Sequence, residues 1–251
     1  MAIDDQLRRH PRQLQVSRWR GDARSAVVNP PPNHPVPSAA AVAREVERLA
    51  NTGVERILTG ALHADEVEPF AANGFEVHDQ LHLLRHDLDV LPQSPGRVVI
   101  RRASRRHLAE VLRIDRVAFD DFWNLDRDGI RDALRAPPTS RFRISRDARG
   151  HITGYSITGR AANRSYLQRL AVDPRHQGRG LGQALVADAL AWARRGGAVE
   201  TVVNTQHGND PAFALYRHCG FVPQPHGLTV LVLDLAARHG SSTDVDRPTA
   251  S

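Results

Sequence analysis

The sequence predicts an α/β chain built on a mixed sheet, and three observations carry that expectation. From residue 97 onward, short runs rich in Val, Ile, Thr and Tyr alternate with segments whose apolar residues recur at helical spacing. One of the predicted helices is opened by a turn with three glycines in five residues, Gly178, Gly180 and Gly182. Proline-rich breaks at 29–37 and 91–96 set a front segment apart from this alternation.

In chain order, residues 41–49 read as a helix and 54–59 as a strand, while the prolines of 29–37 remove donors and exclude a regular element there. Beyond the 91–96 break, residues 97–101 read as a strand. Ser104 can cap a helix running through Leu108, Val111, Leu112, Asp115 and Val117. A second helix covers 126–135 and ends at Pro137-Pro138. Strands follow at 141–145, 151–159 and 165–172. Residues 182–195 form a helix with Leu185, Val186, Ala189, Leu190 and Ala193 on one face. A strand at 199–203, a helix at 210–219 and a last strand at 228–235 complete the pattern. The expected division is 1–95, a front domain; 96–237, the main domain; and 238–251, a polar tail.

The chain has 251 residues, 41% hydrophobic and 25% charged, which fits an ordinary globular protein and excludes disorder throughout. No apolar run approaches the roughly 18 residues of a membrane helix, and the first residues carry no apolar signal region, so a cytoplasmic protein is expected. A single cysteine, Cys219, excludes an internal disulfide and a cysteine-based zinc site. None of the 13 histidines forms a close His-x-x-x-His pair around a glutamate, so no metal is expected. Every basic residue is arginine: 10 against 13 acids in 1–95, and 24 against 15 in 96–251. That positive second part suits a phosphate-bearing ligand. The arginines at 97, 101, 102, 105, 106, 113 and 116 raise nucleic acid as a partner. On a helix such residues mostly form a solvated face, and with 5% aromatics no stacking platform is evident, so nucleic acid is not expected.

The most informative stretch runs from Leu170 to Gln183, reading strand, tight loop, helix. Its loop amides and the helix start direct N–H groups to one spot, an anion site reinforced by the helix dipole, with Arg175 and Arg179 able to add contacts. The spacing differs from Gly-x-Gly-x-x-Gly, and the absence of lysine excludes a P-loop. Gln177-x-x-Gly180-x-Gly182 following Val172-Asp173-Pro174 resembles the acetyl-CoA pyrophosphate motif of the GNAT superfamily of N-acetyltransferases. A second motif of that family follows in Asn209-x-x-Ala212-x-x-Leu215-Tyr216-x-x-x-Gly220-Phe221. The resemblance covers about residues 97–236 and implies a GNAT-like acyl-CoA N-acyltransferase fold, splayed between its fourth and fifth strands.

The same resemblance implies the chemistry. Backbone groups of Leu170, Ala171 and Val172 would hold the pantetheine arm of acetyl-CoA. Amides of Gln177, Gly178, Arg179, Gly180, Leu181, Gly182 and Gln183 would hold the pyrophosphate, and Asn209 would bind the pantetheine from the next helix. A backbone N–H near Leu170 would stabilise the oxyanion. Tyr216 stands where the family places the general acid that protonates the leaving thiolate. The residue-level reading leaves the base open, because strand 165–170 holds no acid; Asp120 and Asp121, with Trp123 as a wall, are the substrate-side candidates. The acceptor is expected to be a small-molecule or peptide amine, and the protein a monomer or homodimer. The alternative is a non-catalytic module that binds acyl-CoA.

The front segment resembles half of the same fold. Residues 70–75, FAANGF, parallel 216–221, YRHCGF, and each precedes a strand ending alike, at 86–88 and 233–235. Val28-Asn29-Pro30 stands where Val172-Asp173-Pro174 does. Prolines replace the glycines of the loop and Phe70 replaces the tyrosine, so this degenerate copy is expected to be structural.

Overall fold

The structure, a computed structural model, describes residues 14–19, 22–31, 34–95 and 98–236. The expected tail at 238–251, together with Gly96 and Arg97, lies outside the described residues. Contacts divide the chain into two compact units, Met1–Leu81 with His226–Ser251, and His82–Pro225.

The first unit holds β1 (Gln15–Trp19), β2 (Asp22–Asn29), α1 (Ala39–Ala50), β3 (Arg56–Leu58), α2 (Ala64–Ala71) and the front of β4 (Glu76–His86). Ser38 caps α1 by accepting from the Ala41 N–H at 3.2 Å, which blocks the cradle that a glycine turn would leave open. Strand order is β1-β2-β3-β11-β4, where β11 (Leu228–Asp234) is the last strand of the chain. β2 and β3 run parallel, and β11 is antiparallel to both of its neighbours. Val42 and Leu49 of α1, Phe70 of α2, Phe75 and Leu231 form its core. Phe70 meets Phe75 edge to face at 5.3 Å, so the residue in the tyrosine's place is a packing residue.

The second unit starts with the end of β4 and continues through β5 (Val99–Arg102), α3 (Leu108–Ala118), α4 (Arg127–Arg135), β6 (Thr139–Arg146) and β7 (Ile152–Ala161). It then runs through β8 (Arg164–Val172), α5 (Leu181–Arg195), β9 (Glu200–Gln206), α6 (Asp210–His218) and the short β10 (Val222–Pro223). Strand order is β4-β9-β8-β7-β6-β5, with β10 on β4. On one face Val111 and Ile114 of α3 and Ile130 of α4 pack on Ile144, Tyr155 and Ile157. On the other, Val186, Leu190 and Ala193 of α5 and Tyr216 of α6 pack on Leu167 and Val203. Each large aliphatic side chain so buried stabilises the fold by about 1.5–3 kcal/mol.

The expected elements are present, with bounds shifted by up to three residues. The division of the chain differs from 1–95 and 96–237. The final strand, expected in the main domain, groups with the first unit between β3 and the front of β4. The place beside β9 is taken by the end of β4. An eleven-residue β4 is long enough to supply both positions, and its end resembles β11 in sequence. Among the described residues, no helix is long and apolar enough to cross a membrane.

Candidate active site

β8 and β9 are paired only from Arg164↔Glu200 to Tyr166↔Val202, although β8 continues to Val172 and β9 to Gln206. On its other edge β8 stays paired with β7 as far as Val172↔Gly154. The two parallel strands therefore part after Tyr166, and the β8 edge from Leu167 onward has no strand beside it. Within that edge Ile157 faces Arg169 and Thr158 faces Leu167, which leaves Gln168 as an extra, bulged residue. A bulge bends its strand and re-aims the neighbouring backbone groups, here at the opening of the gap. Leu170, Ala171 and Val172 all lie on this parted stretch, as the sequence predicts.

The turn after β8 is organised by Asp173, 1% exposed. Its carboxylate accepts from the Arg175 N–H at 3.1 Å, from the Arg175 guanidinium at 3.1 and 2.8 Å, and from Arg113 Nη1 at 3.1 Å. Hydrogen bonding from Arg175, opposed by burial, holds this carboxyl well below the usual carboxylate range. Arg175 is thus turned onto Asp173, not toward the glycine loop. Gln177 is also committed: its N–H donates to Pro174 O at 3.4 Å and its side chain to Val172 O at 3.3 Å.

From Gly178 onward the situation changes. Gly178 and Gly180 have φ of 73° and 77°, the left-handed region that favours glycine, and Gly180 begins α5 with no side-chain cap. Among the described residues, no acceptor takes the N–H of Gly178, Arg179, Gly180, Leu181, Gly182 or Gln183. Six donors stay open at one helix start, one fewer than the seven amides of the sequence reading because the Gln177 N–H is committed to Pro174 O. Gly182 serves packing as well: a Cβ there would stand 2.9 Å from Leu215 Cδ2, so its absence lets α6 approach α5. The Gln183 side chain donates to Gln93 O at 2.9 Å, and Pro95 abuts Gly180. Behind the turn a cleft of about 780 Å³ is lined by three acids and three arginines, among them Glu110, Asp147, Arg113 and Arg149, a balance that selects neither cation nor anion.

On α6, Asn209 is the N-cap, its Oδ1 accepting from the Ala212 N–H at 3.2 Å, so only its amide nitrogen is free for a ligand. Tyr216 is 5% exposed and packs on Phe221 with ring centroids 5.7 Å apart. Among the described residues its hydroxyl has no hydrogen-bond partner. Burial pushes the phenol above its usual range, the Arg169 charge pulling the other way. The hydroxyl is therefore a proton carrier at neutral pH.

Asp120 and Asp121 stand side by side in the loop between α3 and α4. Both are exposed in the turn after α3, where the Asp120 carboxylate accepts from the Trp123 N–H at 2.9 Å and Asp121 from the Asn124 side chain at 3.4 Å. Their short side chains shape the turn, an ordinary use of aspartate. Trp123 does come to β8: its carbonyl accepts from Arg169 Nη2 at 2.6 Å. The acid that sequence reasoning missed is Asp115, 0% exposed. It accepts from Arg169 Nε at 2.8 Å and Nη2 at 2.9 Å, from the Leu125 N–H, and from the Tyr155 hydroxyl. The Arg169 guanidinium also lies 3.4 Å from the centroid of the Phe119 ring. Arg169 thus ties the α3–α4 loop to β8 one residue before Leu170. The available signal was an acid on the apolar face of an amphipathic helix, which demands a cationic partner. Among the described residues, no group of three or more His, Cys, Asp or Glu side chains is gathered to hold a metal ion.

The chain has relatives in sequence and in fold among known proteins. Residues 108–221 match the family model described as the acetyltransferase (GNAT) family. The chain is 43% identical over 76 residues to the N-alpha-acetyltransferase RimI of Mycobacterium tuberculosis, covering 29% of this chain and 46% of that protein. It is 30% identical over 129 residues to the mycothiol acetyltransferase of Saccharomonospora viridis, covering 44% of this chain and 41% of that one. The chain therefore spans less than half the length of these curated relatives. The fold is shared with the GCN5-related N-acetyltransferase of Sphaerobacter thermophilus, at a TM-score of 0.61 and 13% identity over 89% of this chain and 77% of that one. A tandem GNAT protein of the clavulanic acid pathway gives 0.63 and 14%, over 85% and 76%. Residues 108–221 of this chain are similar to the acetyltransferase (GNAT) family, and the chain shares the fold of GCN5-related N-acetyltransferases.

Proposed function

We propose that the second unit transfers the acetyl group of acetyl-CoA directly to a primary amine. The observation that carries this reading is the row of six uncommitted N–H groups from Gly178 to Gln183, at the foot of the gap where β8 leaves β9. Those amides and the helix dipole hold the diphosphate. The free edge of Leu170–Val172 pairs with the pantetheine arm as a strand would, and the Asn209 amide nitrogen donates to it. Backbone N–H groups beside the Gln168 bulge stabilise charge building on the acyl oxygen. As the amine nitrogen bonds to the acyl carbon and the carbon–sulfur bond breaks, Tyr216 gives its proton to the departing sulfur, whose thiol pKa is about 8.5. The phenol carries a proton at neutral pH at its ordinary pKa, and the upward push of burial makes it the weaker acid, a cost opposed by the Arg169 charge.

No carboxylate described above suits the base. Asp115 is enclosed by its donors and Asp120 is committed to Trp123. We assign the amine's proton to solvent, so kcat/KM rises with pH along the acceptor's own titration, near 8 to 10, and not along a carboxylate's. A curated relative named for an α-amine and another named for mycothiol favour, as acceptor, a peptide or small-molecule amine. The test is release of free thiol from acetyl-CoA across a panel of amines. Turnover with at least one class is expected; tight binding of acetyl-CoA with no turnover on any amine would convert the protein to a non-catalytic acyl-CoA module.

A further inference from the structure

The face of the second unit's sheet that α5 covers carries an arrangement that acetyl transfer does not use. Arg141 and Arg143 alternate along β6, and Arg102 of β5 is the cross-strand neighbour of Arg143, so all three project on one side. α5 presents Asp188, Trp192 and Arg195 to that side, one stripe at i, i+4 and i+7. Arg141 binds Asp188 with both ends of its fork, at 3.1 and 2.7 Å. Arg143 Nε stands 3.5 Å from the same carboxylate, buried and without a hydrogen bond. Arg160 of β7 lies over the Trp192 ring at 5.6 Å, with its Nη1 also buried and unpartnered.

Arg141 and Arg143 therefore share one carboxylate, and Arg102, Arg160 and Arg195 lie on the same side. Burial first, then Arg141, and further Arg102 and Arg195, pull the Arg143 guanidinium below its usual range, with Asp188 opposing. Like charges held this close are unfavourable until an anion arrives. The patch spans three strands, roughly 10 Å, and, since Arg160 pairs with Thr139, four residues of strand, roughly 13 Å. A single small anion cannot reach across it, whereas a chain of phosphates can. Forked donors on strands match phosphate oxygens, and a bilayer would ask instead for exposed apolar side chains beside the charges, where here the indole is already covered by Arg141 and Arg160.

We propose that this face binds the phosphodiester backbone of a nucleic acid, without sequence preference, through Arg102, Arg143, Arg160 and Arg195, with Arg141 held on Asp188. The arginine run that first raised nucleic acid is not this surface. Of it only Arg102 joins, while Arg113 is spent on Asp173 and Arg106 donates to His107 at 3.2 Å. The decisive set comes together from β5, β6, β7 and α5.

The test is fluorescence anisotropy of the full chain with a labelled single-stranded RNA and, separately, a DNA duplex of equal length, across salt. Binding at about 1–100 µM is expected for at least one of them, weakening steeply with salt. The double variant Arg102→Glu/Arg195→Glu changes two exposed residues, so its thermal melt and acetyl-CoA turnover stay as in the parent. Its affinity falls at least about tenfold and its salt slope by about two. Arg18→Glu/Arg44→Glu, with the same change in net charge, leaves binding intact. Absence of binding to both nucleic acids, equal losses in the two double variants, or tighter binding of poly-glutamate would each overturn the proposal.

Discussion

Removing the charge of Asp115 offers the sharpest check on how the α3–α4 loop is held. The carboxylate is 0% exposed and has four donors: two from Arg169, one from the Leu125 backbone and one from Tyr155. Arg169, with a side chain 11% exposed, would be left as a buried cation by Asp115→Leu. Breaking one partner out of such a pair costs about 3–5 kcal/mol, more than the sum of ordinary neutral hydrogen bonds at about 1 kcal/mol each. Arg169→Met has a similar expected cost and also frees the Trp123 carbonyl and the Phe119 ring. The double variant, apolar at both positions, regains most of the loss, because apolar pairs of similar volume replace buried ion pairs at little cost. Denaturant melts of the four proteins measure the coupling, expected at about 2 kcal/mol or more. Hydrogen exchange localises it to the amides of 119–125, and under the proposed function the acceptor KM rises while that for acetyl-CoA holds. Single variants that each lose under 1 kcal/mol, or losses that simply add, would refute the clamp.

Three further expectations are independent of that pair. Gly180→Ala forces an L side chain into φ 77° and against the Pro95 ring at 2.9 Å, so acetyl-CoA affinity measured by calorimetry falls at least tenfold while the fold persists. Tyr216→Phe lowers kcat by about a hundredfold with KM nearly unchanged, since only proton donation is lost; unchanged kcat would move the acid elsewhere. Asp173 has a carboxyl pKa depressed in the folded chain, so its contribution is full above the unfolded value and fades as pH falls below it. In thermal melts from pH 7 to pH 3, Asp173→Asn loses stability at pH 7 and shows a shallower acid decline than the parent.

Much of this architecture is written locally. The glycine turn declares itself because only particular backbone angles open a helix that way, and the α5 stripe because its apolar spacing repeats over four turns. α2 escaped notice: eight residues with Pro69 inside and three acids form a helix only where packing of Phe70 supports it. The Asp115–Arg169 pair is 54 residues apart, and nothing local distinguishes a buried acid from a solvated one. Asp120 and Asp121 illustrate the converse: two adjacent acids before an aromatic look catalytic, and in the structure each also accepts a hydrogen bond that shapes the turn. The fate of the last strand was beyond sequence reading. Residues 84–88 and 231–235 are alike, so periodicity assigns each a strand and cannot say which sheet receives it.

That last point bears on how this chain can be divided in the laboratory or by evolution. A scission near residue 95 liberates no autonomous half, since the downstream piece would depart with a ribbon its neighbour requires and abandon the one beside β9. Each unit is finished by a strand from the other side of residue 95. Loss of the degenerate front copy is thereby penalised even though it has surrendered its glycines, which explains in mechanical terms how a sequence stripped of its own cradle can still be retained.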